Sequence, residues 1–267
     1  MESTLWLFAM CLALGSVVGL LAGLLGIGGG LLVVPALVWL LPQAGIPTEM
    51  VMHIALATSL ASIVLTSGSS ARNHLRLGNV DLQAVKMLAP GIVLGGLGGS
   101  MIAELVPAEL LPKIFAGIVL FLALQMLASI RFSTHERTLP SPTKCIFSGG
   151  IIGVVSSLAG IGGGSLTVPY LNWHGLEMRR AIGSASLAGA IIAVAGMLGF
   201  IAAGVGDEAL PPMSIGYVYL PALVGIVSTS VLTTRHGAAL VSKMPTPTLK
   251  KIFAVFLLFI SFKMFMG

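Results

Sequence analysis

Charge is the scarcest property of this 267-residue sequence. Only 9% of the residues are charged and 56% are hydrophobic, whereas a soluble domain carries about 25% charged residues. The links between apolar stretches are too short to form a soluble domain, which excludes a nucleotide-binding module and a nucleic-acid partner. We therefore expect the net charge of +5 to govern orientation in a lipid bilayer.

Reactive and metal-binding side chains are also scarce. The two cysteines, Cys11 and Cys145, each lie near the start of an apolar segment and suggest no disulfide, haem or zinc site. The carboxylates fall near segment ends, so no Asp or Glu proton relay is visible at membrane depth. The histidines are scattered, and His53 alone is worth attention as a titratable group. We expect no catalytic residues, metal or cofactor, and no enzyme activity.

Long apolar stretches account for nearly the whole chain. A helix of roughly 17 to 25 apolar residues crosses a hydrocarbon core of about 30 Å. The sequence therefore predicts an all-α integral membrane protein of about eight segments. These are Leu5 to Leu41, Met50 to Ala71, Leu82 to Ala103, Leu110 to Ile130, Cys145 to Trp173, Ala181 to Ala203, Ile215 to Thr234 and Leu249 to Met266.

The sequence repeats itself, which indicates two homologous halves of four segments each. Gly26-Ile-Gly-Gly-Gly, with Pro35 after it, recurs as Gly160-Ile-Gly-Gly-Gly with Pro169 after it, and Lys113-Ile-Phe-Ala recurs as Lys251-Ile-Phe-Ala. We predict a first membrane repeat over 1–133, a cytoplasmic linker over 134–144 and a second membrane repeat over 145–267.

Positive charges decide how the halves are oriented, because cytoplasmic loops are rich in Lys and Arg. If all eight segments cross, the fourteen Lys and Arg residues split evenly between the two sides. If segments 1 and 5 are re-entrant hairpins, only Lys113 and Lys263 lie outside, and the other twelve are cytoplasmic. This bias predicts inverted repeats, a common plan for secondary transporters.

The repeated glycines predict a break in segments 1 and 5. Glycine costs about 1 kcal/mol relative to alanine in a helix, and broken backbone at membrane depth is tolerated only inside protein or beside water. A helix that resumes after the break presents free N–H groups to an anion. Close helix packing, as in Gly15-x-x-x-Gly19, is the alternative. The predicted substrate-binding residues at the breaks are Gly28, Gly29, Gly30, Leu31, Gly162, Gly163, Gly164 and Ser165.

Hydroxyl side chains in two matching segments are further candidates for the substrate site. Thr58 and Ser59 in the first half, with Ser184 and Ser186 in the second, are candidate donors to a ligand; the alternative is a bond to the carbonyl one turn back. Arg72 and Arg76 are either a cytoplasmic anchor or an electropositive vestibule that gathers anions. Ser156 and Ser157 are weaker candidates.

The sequence resembles the TauE/SafE family of bacterial membrane permeases. The doubled Gly-Ile-Gly-Gly-Gly with its following proline, Thr58-Ser-Leu, and Arg72-Asn-His-Leu-Arg-Leu-Gly-Asn-Val-Asp carry the resemblance. It implies passage of sulfite, sulfoacetate or a related anion across the bacterial inner membrane. We therefore expect a secondary transporter that works by alternating access and uses a proton or sodium gradient. The alternatives are a passive anion channel, a membrane-embedded enzyme and a structural scaffold.

Overall fold

The computed structural model describes residues 2–25, 29–128, 139–241 and 246–266. It confirms the all-α fold class, with ten helices in the described chain. Their bounds are α1 Glu2–Leu25, α2 Gly30–Gln43, α3 Thr48–Arg76, α4 Leu82–Leu105, α5 Leu111–Leu127, α6 Pro142–Leu158, α7 Gly164–Trp173, α8 Met178–Ala203, α9 Leu220–Val241 and α10 Thr246–Met266. A short antiparallel hairpin, β1 Ser214–Ile215 and β2 Val218–Tyr219, lies between α8 and α9.

Segment 5 is divided into two helices at its glycines, and segment 1 is described as two helices on either side of residues 26–28, which lie outside the described chain. Helix α1 has 24 residues and α2 has 14, whereas α6 has 17 and α7 has 10. At a rise of 1.5 Å per residue, α2 and α7 are about 21 Å and 15 Å long. Neither is long enough to cross a hydrocarbon core alone.

Three helices in the described chain are long and apolar enough to cross a membrane: Thr48–Arg76, Leu82–Leu105 and Met178–Ala203. Their ends follow local rules. Helix α3 begins directly after Pro47, and the side chain of Asp81 accepts a hydrogen bond from the Ala84 amide at 2.9 Å, which caps α4.

Helices of one half pack along helices of the other half. A methyl group added at Gly91 or Gly95 would meet the backbone of α6 at Ile146 or Gly150, so α4 and α6 approach closely and run parallel. Glycines on α1 make the same close approach to α9, again in parallel. The four helices therefore interleave the two halves. The boundaries 1–133 and 145–267 stay a prediction, and residues 134–138 of the linker lie outside the described chain.

Helices α3 and α8, which are equivalent in the repeat, pack antiparallel at the centre. The Ser70 hydroxyl bonds Ser186, whereas a methyl group at Gly196 would lie 2.9 Å from Leu60 Cδ1. This antiparallel pair is compatible with inverted halves. Inversion relative to a membrane stays a prediction.

The α6–α7 pair is a hairpin whose two ends lie together. Pro140 and Lys144, before and within the start of α6, line one surface cavity of about 520 Å³ with Trp173 and His174 at the end of α7. Helix α7 therefore returns towards the start of α6, and re-entry of this hairpin into a membrane stays a prediction.

The seventh predicted segment begins later than the sequence suggested. We expected it to start at Ile215, but α9 starts at Leu220. Gly216 has φ +51° and allows the chain to turn between the two short strands. The sequence does not indicate this hairpin because its residues are as apolar as those of a membrane segment. Tyr217, Val218 and Tyr219 are buried like core residues.

Candidate functional site

The two glycine segments meet inside the protein. A methyl group added at Gly30 would collide with the carbonyl oxygen of Gly160 and lie 3.1 Å from the Cα of Ile161. The hydroxyl of Ser59 donates a 2.7 Å hydrogen bond to the same Gly160 oxygen. The first half therefore holds the break of the second half through backbone contact with α2 and a side-chain bond from α3.

The helix that follows the second break, α7, begins inside the protein without a side-chain cap. Gly160 and Gly163 have φ +57° and +66°, a left-handed backbone that favours glycine. The Gly163 carbonyl accepts from the amides of Leu166 at 3.0 Å and Thr167 at 2.7 Å. The amides of Gly164 and Ser165 precede these and have no acceptor within the helix. They form the positive end of the helix dipole.

Hydroxyl groups without partners surround this helix N-terminus. The side chains of Ser156, on α6, and Thr167, on α7, are fully buried, and neither hydroxyl has a hydrogen-bond partner in the part of the chain that the structure describes. Each lies 3.5 Å from the position that a Cβ at Gly163 would take. The buried hydroxyl of Ser165, in the first turn of α7, also lacks a partner. A buried hydroxyl without a bond costs about 1 to 3 kcal/mol, which favours a ligand that would accept these bonds.

Sequence reasoning missed Thr167 and ranked Ser156 low. The repeat contains the signal that could have found Thr167. Where the second half has Ser165 and Thr167, the first half has Leu31 and Val33 at the equivalent positions after its glycines. A hydroxyl that appears in one half alone is not required by the shared fold.

The first break is apolar. Gly29 has φ −71°, which any residue can adopt. Leu31 and Val33 are buried in the hydrophobic core. Gly28 lies outside the described residues. Of the candidates in the first half, Gly30 contacts the second break, whereas Leu31 offers an apolar side chain and a backbone amide.

The other candidate hydroxyls bond protein groups. Thr58 Oγ1 accepts from the Tyr219 amide at 3.1 Å, and Ser184 Oγ accepts from the Asp81 amide at 2.8 Å. Asp81 and Tyr219 are equivalent in the repeat, since each directly precedes the corresponding helix, α4 or α9. Ser186 donates to the Ile182 carbonyl one turn back at 3.0 Å. The structure brings only Ser59 of these four to the glycine segments by a hydrogen bond; their binding of substrate stays a prediction.

A charged group lies near the C-terminal end of α3. Arg72 and Arg76 are exposed on its last turns. Nearby, Arg180 Nη2 lies 3.3 Å from the carboxylate of Asp81, and half of the Arg180 side chain is exposed. The contribution of this ion pair to stability is therefore small. A vestibule role for Arg72 and Arg76 stays a prediction.

Comparison with known proteins gives related transporters over nearly the full length. A probable membrane transporter protein of Haemophilus influenzae is 43% identical over 257 residues, covering 96% of this chain and 97% of the relative. Two others, from Bacillus subtilis and Methanocaldococcus jannaschii, are 27% and 25% identical and cover 90% of this chain and 91% and 88% of their own lengths. No solved structure matches.

The family comparison agrees with these relatives. Residues 11–264 match the model of the family described as sulfite exporter TauE/SafE. Together with the apolar helices, the comparisons identify a multi-pass membrane transporter and point away from an enzyme. The match extends over nearly all of both halves, and the chain therefore belongs to the TauE/SafE family.

Proposed function

We propose that this transporter moves a small oxyanion, sulfite or an organosulfonate such as sulfoacetate, across the bacterial inner membrane by alternating access. The observation that carries the proposal is the pair of fully buried, partnerless hydroxyls of Ser156 and Thr167 beside the N-terminus of α7. The Ser165 hydroxyl and the amides of the first turn complete the proposed site.

The chemistry of these groups fits an oxyanion. Each hydroxyl has one O–H to donate, and hydrogen bonds to an ionised acceptor are worth about 1.5 to 3 kcal/mol each. The helix dipole adds roughly 0.3 to 2 kcal/mol, depending on burial. No buried Lys or Arg is needed at such a site. An anion held only by neutral donors can also be released, which a transporter requires.

Burial of the site supports alternating access over a passive channel. Ser156 and Thr167 have no exposed surface, and the Cδ1 methyl of Ile192 occupies the space beside Gly163. An anion can reach the hydroxyls only if the surrounding helices move. Two bonds whose donors are equivalent in the repeat, from the Tyr219 amide to Thr58 and from the Asp81 amide to Ser184, are candidates for the contacts that open in turn.

Binding of anions to the purified protein tests the site. We expect sulfite or sulfoacetate to raise the Tm more than sulfate, taurine or acetate does. Thr167→Val should reduce the affinity for that anion about tenfold or more, the loss of one hydrogen bond to a charged group. Its Tm without anion should stay the same or rise, because the variant removes a partnerless buried hydroxyl.

A matched control separates binding from packing. The Thr234 hydroxyl donates to the Ser230 carbonyl in its own helix at 2.6 Å, and Thr234→Val should leave anion affinity unchanged. If Thr167→Val binds every tested anion as the unmodified protein does, the site is wrong. Flux in proteoliposomes that rises without saturation would favour a channel. Recovery of a chemically altered anion would favour an enzyme.

A further inference from the structure

A second polar cluster lies at the end of the protein where α3 begins. His53 is 6% exposed, and its Nε2 lies 3.1 Å from the Ala103 carbonyl oxygen and 3.9 Å from the Glu104 carboxylate. A carbonyl only accepts hydrogen bonds, so this nitrogen carries a proton and donates. The other ring nitrogen, Nδ1, is then the atom at which His53 can take up a further proton.

The β-hairpin between α8 and α9 covers this histidine. The Tyr217 ring stacks on the His53 ring with centroids 5.1 Å apart, and the Tyr217 hydroxyl donates to Glu104 Oε1 at 3.2 Å. Burial, with the charge of Glu104 and its hydrogen bond, raises the pKa of Tyr217 to about 12. Tyr217 therefore keeps its proton at neutral pH. Asp207 adds negative charge from the loop before the hairpin.

A proton on His53 would strengthen the closed arrangement. It creates a positive charge 3.9 Å from the Glu104 carboxylate. The other charges of this region are also acidic: Asp207 acts on Tyr217, and Glu49 precedes His53 by one turn on α3. A histidine gains a full positive charge when its imidazole takes up a proton. Low pH should hold the hairpin against α3 and α4, and higher pH should weaken that contact.

The hairpin is connected to the helices that would have to move. A methyl group at Gly204, directly after α8, would lie 2.8 Å from the Gly216 Cα. The amide of Tyr219 donates to Thr58, one residue before Ser59 on α3, and Leu220 begins α9. A change at His53 can therefore act on α3, α8 and α9 together.

We propose that His53 and Glu104 form a proton-binding site that couples opening of this end of the transporter to a pH gradient. The inference rests on the proposed function as a secondary transporter and names the proton as its coupling ion. Protonation closes the hairpin, and loss of the proton permits it to open. His53 and Glu104 are at one end of α3, whereas the hydroxyls proposed to bind the anion are near Gly163.

Cysteine labelling tests the site without any transported anion. Val218 is 3% exposed and Ile215 is 50% exposed on the same hairpin. The maleimide labelling rate of Val218→Cys, divided by that of Ile215→Cys, corrects for the greater reactivity of any thiol at higher pH. Between pH 5.5 and 8 we expect this ratio to rise about two- to fivefold, the range of a partly exposed ion pair. The unsubstituted protein supplies the background from Cys11 and Cys145.

Two histidine variants show which group is responsible. His53→Gln keeps an N–H donor for the Ala103 carbonyl but cannot take up a proton, so its ratio should be high and independent of pH. His174→Gln changes a histidine whose Nδ1 lies 2.8 Å from the Tyr170 carbonyl of its own turn, and it should keep the pH response. If the labelling ratio does not change with pH in the protein that retains His53, the proposal is wrong.

Thermal unfolding gives a second measurement if the cysteine variants do not fold. His53→Gln should lower the Tm more at pH 5.5 than at pH 8, because only the protonated imidazole forms the charge pair. An equal effect at both pH values contradicts a proton-binding role. The Tm difference has this sign because the ion pair between His53 and Glu104 is present at low pH and is lost as pH rises.

Flux in proteoliposomes then tests coupling. With sulfoacetate as the probe, a pH gradient should accelerate flux through the unmodified protein and the His174→Gln variant, but not through His53→Gln. Flux that depends on sodium and ignores the pH gradient overturns proton coupling while leaving the anion site intact. Failure to carry any anion would refute the proposed function, and the labelling ratio would still decide whether His53 controls the hairpin.

Discussion

The two glycine breaks have related sequences, and their backbones differ at the one equivalent pair that the structure describes in both, Gly29 and Gly163. In the second break, Gly160 and Gly163 adopt φ +57° and +66°, and a side chain at either position would strain the chain. In the first break, Gly29 has φ −71°, an ordinary helical value. Equivalent glycines therefore have different roles in the two halves. Gly163 permits a left-handed turn before α7, and Gly29 permits close packing against Val18 before α2.

The side chains that follow the two breaks also differ. After the second break, Ser165 and Thr167 bring hydroxyls that have no partner among the described residues, whereas Leu31 and Val33 at the equivalent positions are buried in the core. A duplicated fold can thus divide its tasks. The first half contacts the second break through Gly30, and the second half supplies the groups proposed to bind the anion.

The largest expected effect comes from a substitution at the contact between the two breaks. The added methyl group in Gly30→Ala would collide with the Gly160 carbonyl, which is backbone and cannot rotate away. Overpacking of this kind costs about 1 to 3 kcal/mol, and we expect the upper end with a clear loss of Tm in detergent. Gly117→Ala on α5 is the control, because its methyl group would meet nothing within 4 Å. Equal stability of the two variants would contradict contact between the breaks.

The next effect distinguishes the two backbones. Gly163→Ala places a side chain at φ +66° and against the Ile192 methyl, at a backbone cost of about 1 to 2 kcal/mol. Gly29→Ala has no such backbone cost at φ −71°, but its methyl group would collide with Val18, a buried β-branched side chain that rotates poorly; measured against Val18→Ala, which removes that collision, Gly29→Ala should cost less than about 1 kcal/mol. Thermal unfolding of both variants measures the difference. Comparable losses would show that the breaks share one conformation.

Much of the fold could be predicted from sequence because it depends on composition and repetition. Low charge and long apolar runs indicated membrane helices, and repeated glycines indicated where segments 1 and 5 divide. The contact of Gly30 with Gly160 depends on how helices of the two halves interleave. No local pattern contains that information. The hairpin before Leu220 was missed for a related reason, since its buried residues have the composition of a membrane segment.

The candidate site was predictable in part. Repeated glycines pointed to the N-termini of α2 and α7, but repetition also drew attention to paired hydroxyls such as Thr58 and Ser184, which bond backbone amides. Thr167 has no hydroxyl counterpart in the first half, so comparison of the two halves does not select it. Ligand-binding groups can lie where two related halves differ.

A smaller effect is expected when the first break is made to resemble the second. Val33 is fully buried and is the counterpart of Thr167. Val33→Thr adds a hydroxyl in an apolar setting, which should lower stability by about 1 to 2 kcal/mol without raising anion affinity. Thermal unfolding and anion titration on the same sample measure both. A gain in affinity would show that the first break also reaches the anion, and the division of tasks would be wrong.

The smallest expected effect concerns the bond from α3 to the second break. Ser59→Ala removes the hydrogen bond from its hydroxyl to the Gly160 carbonyl, 2.7 Å in the intact protein, at a net cost of about 0.5 to 1.5 kcal/mol. We expect Tm to fall and anion affinity to fall less than in Thr167→Val, because Ser59 positions the break. Ser228→Ala is the control, since that exposed hydroxyl donates to the Val224 carbonyl of its own helix. An unchanged Tm with a tenfold or greater loss of affinity would instead make Ser59 a direct ligand of the anion, and the first half would then share in binding.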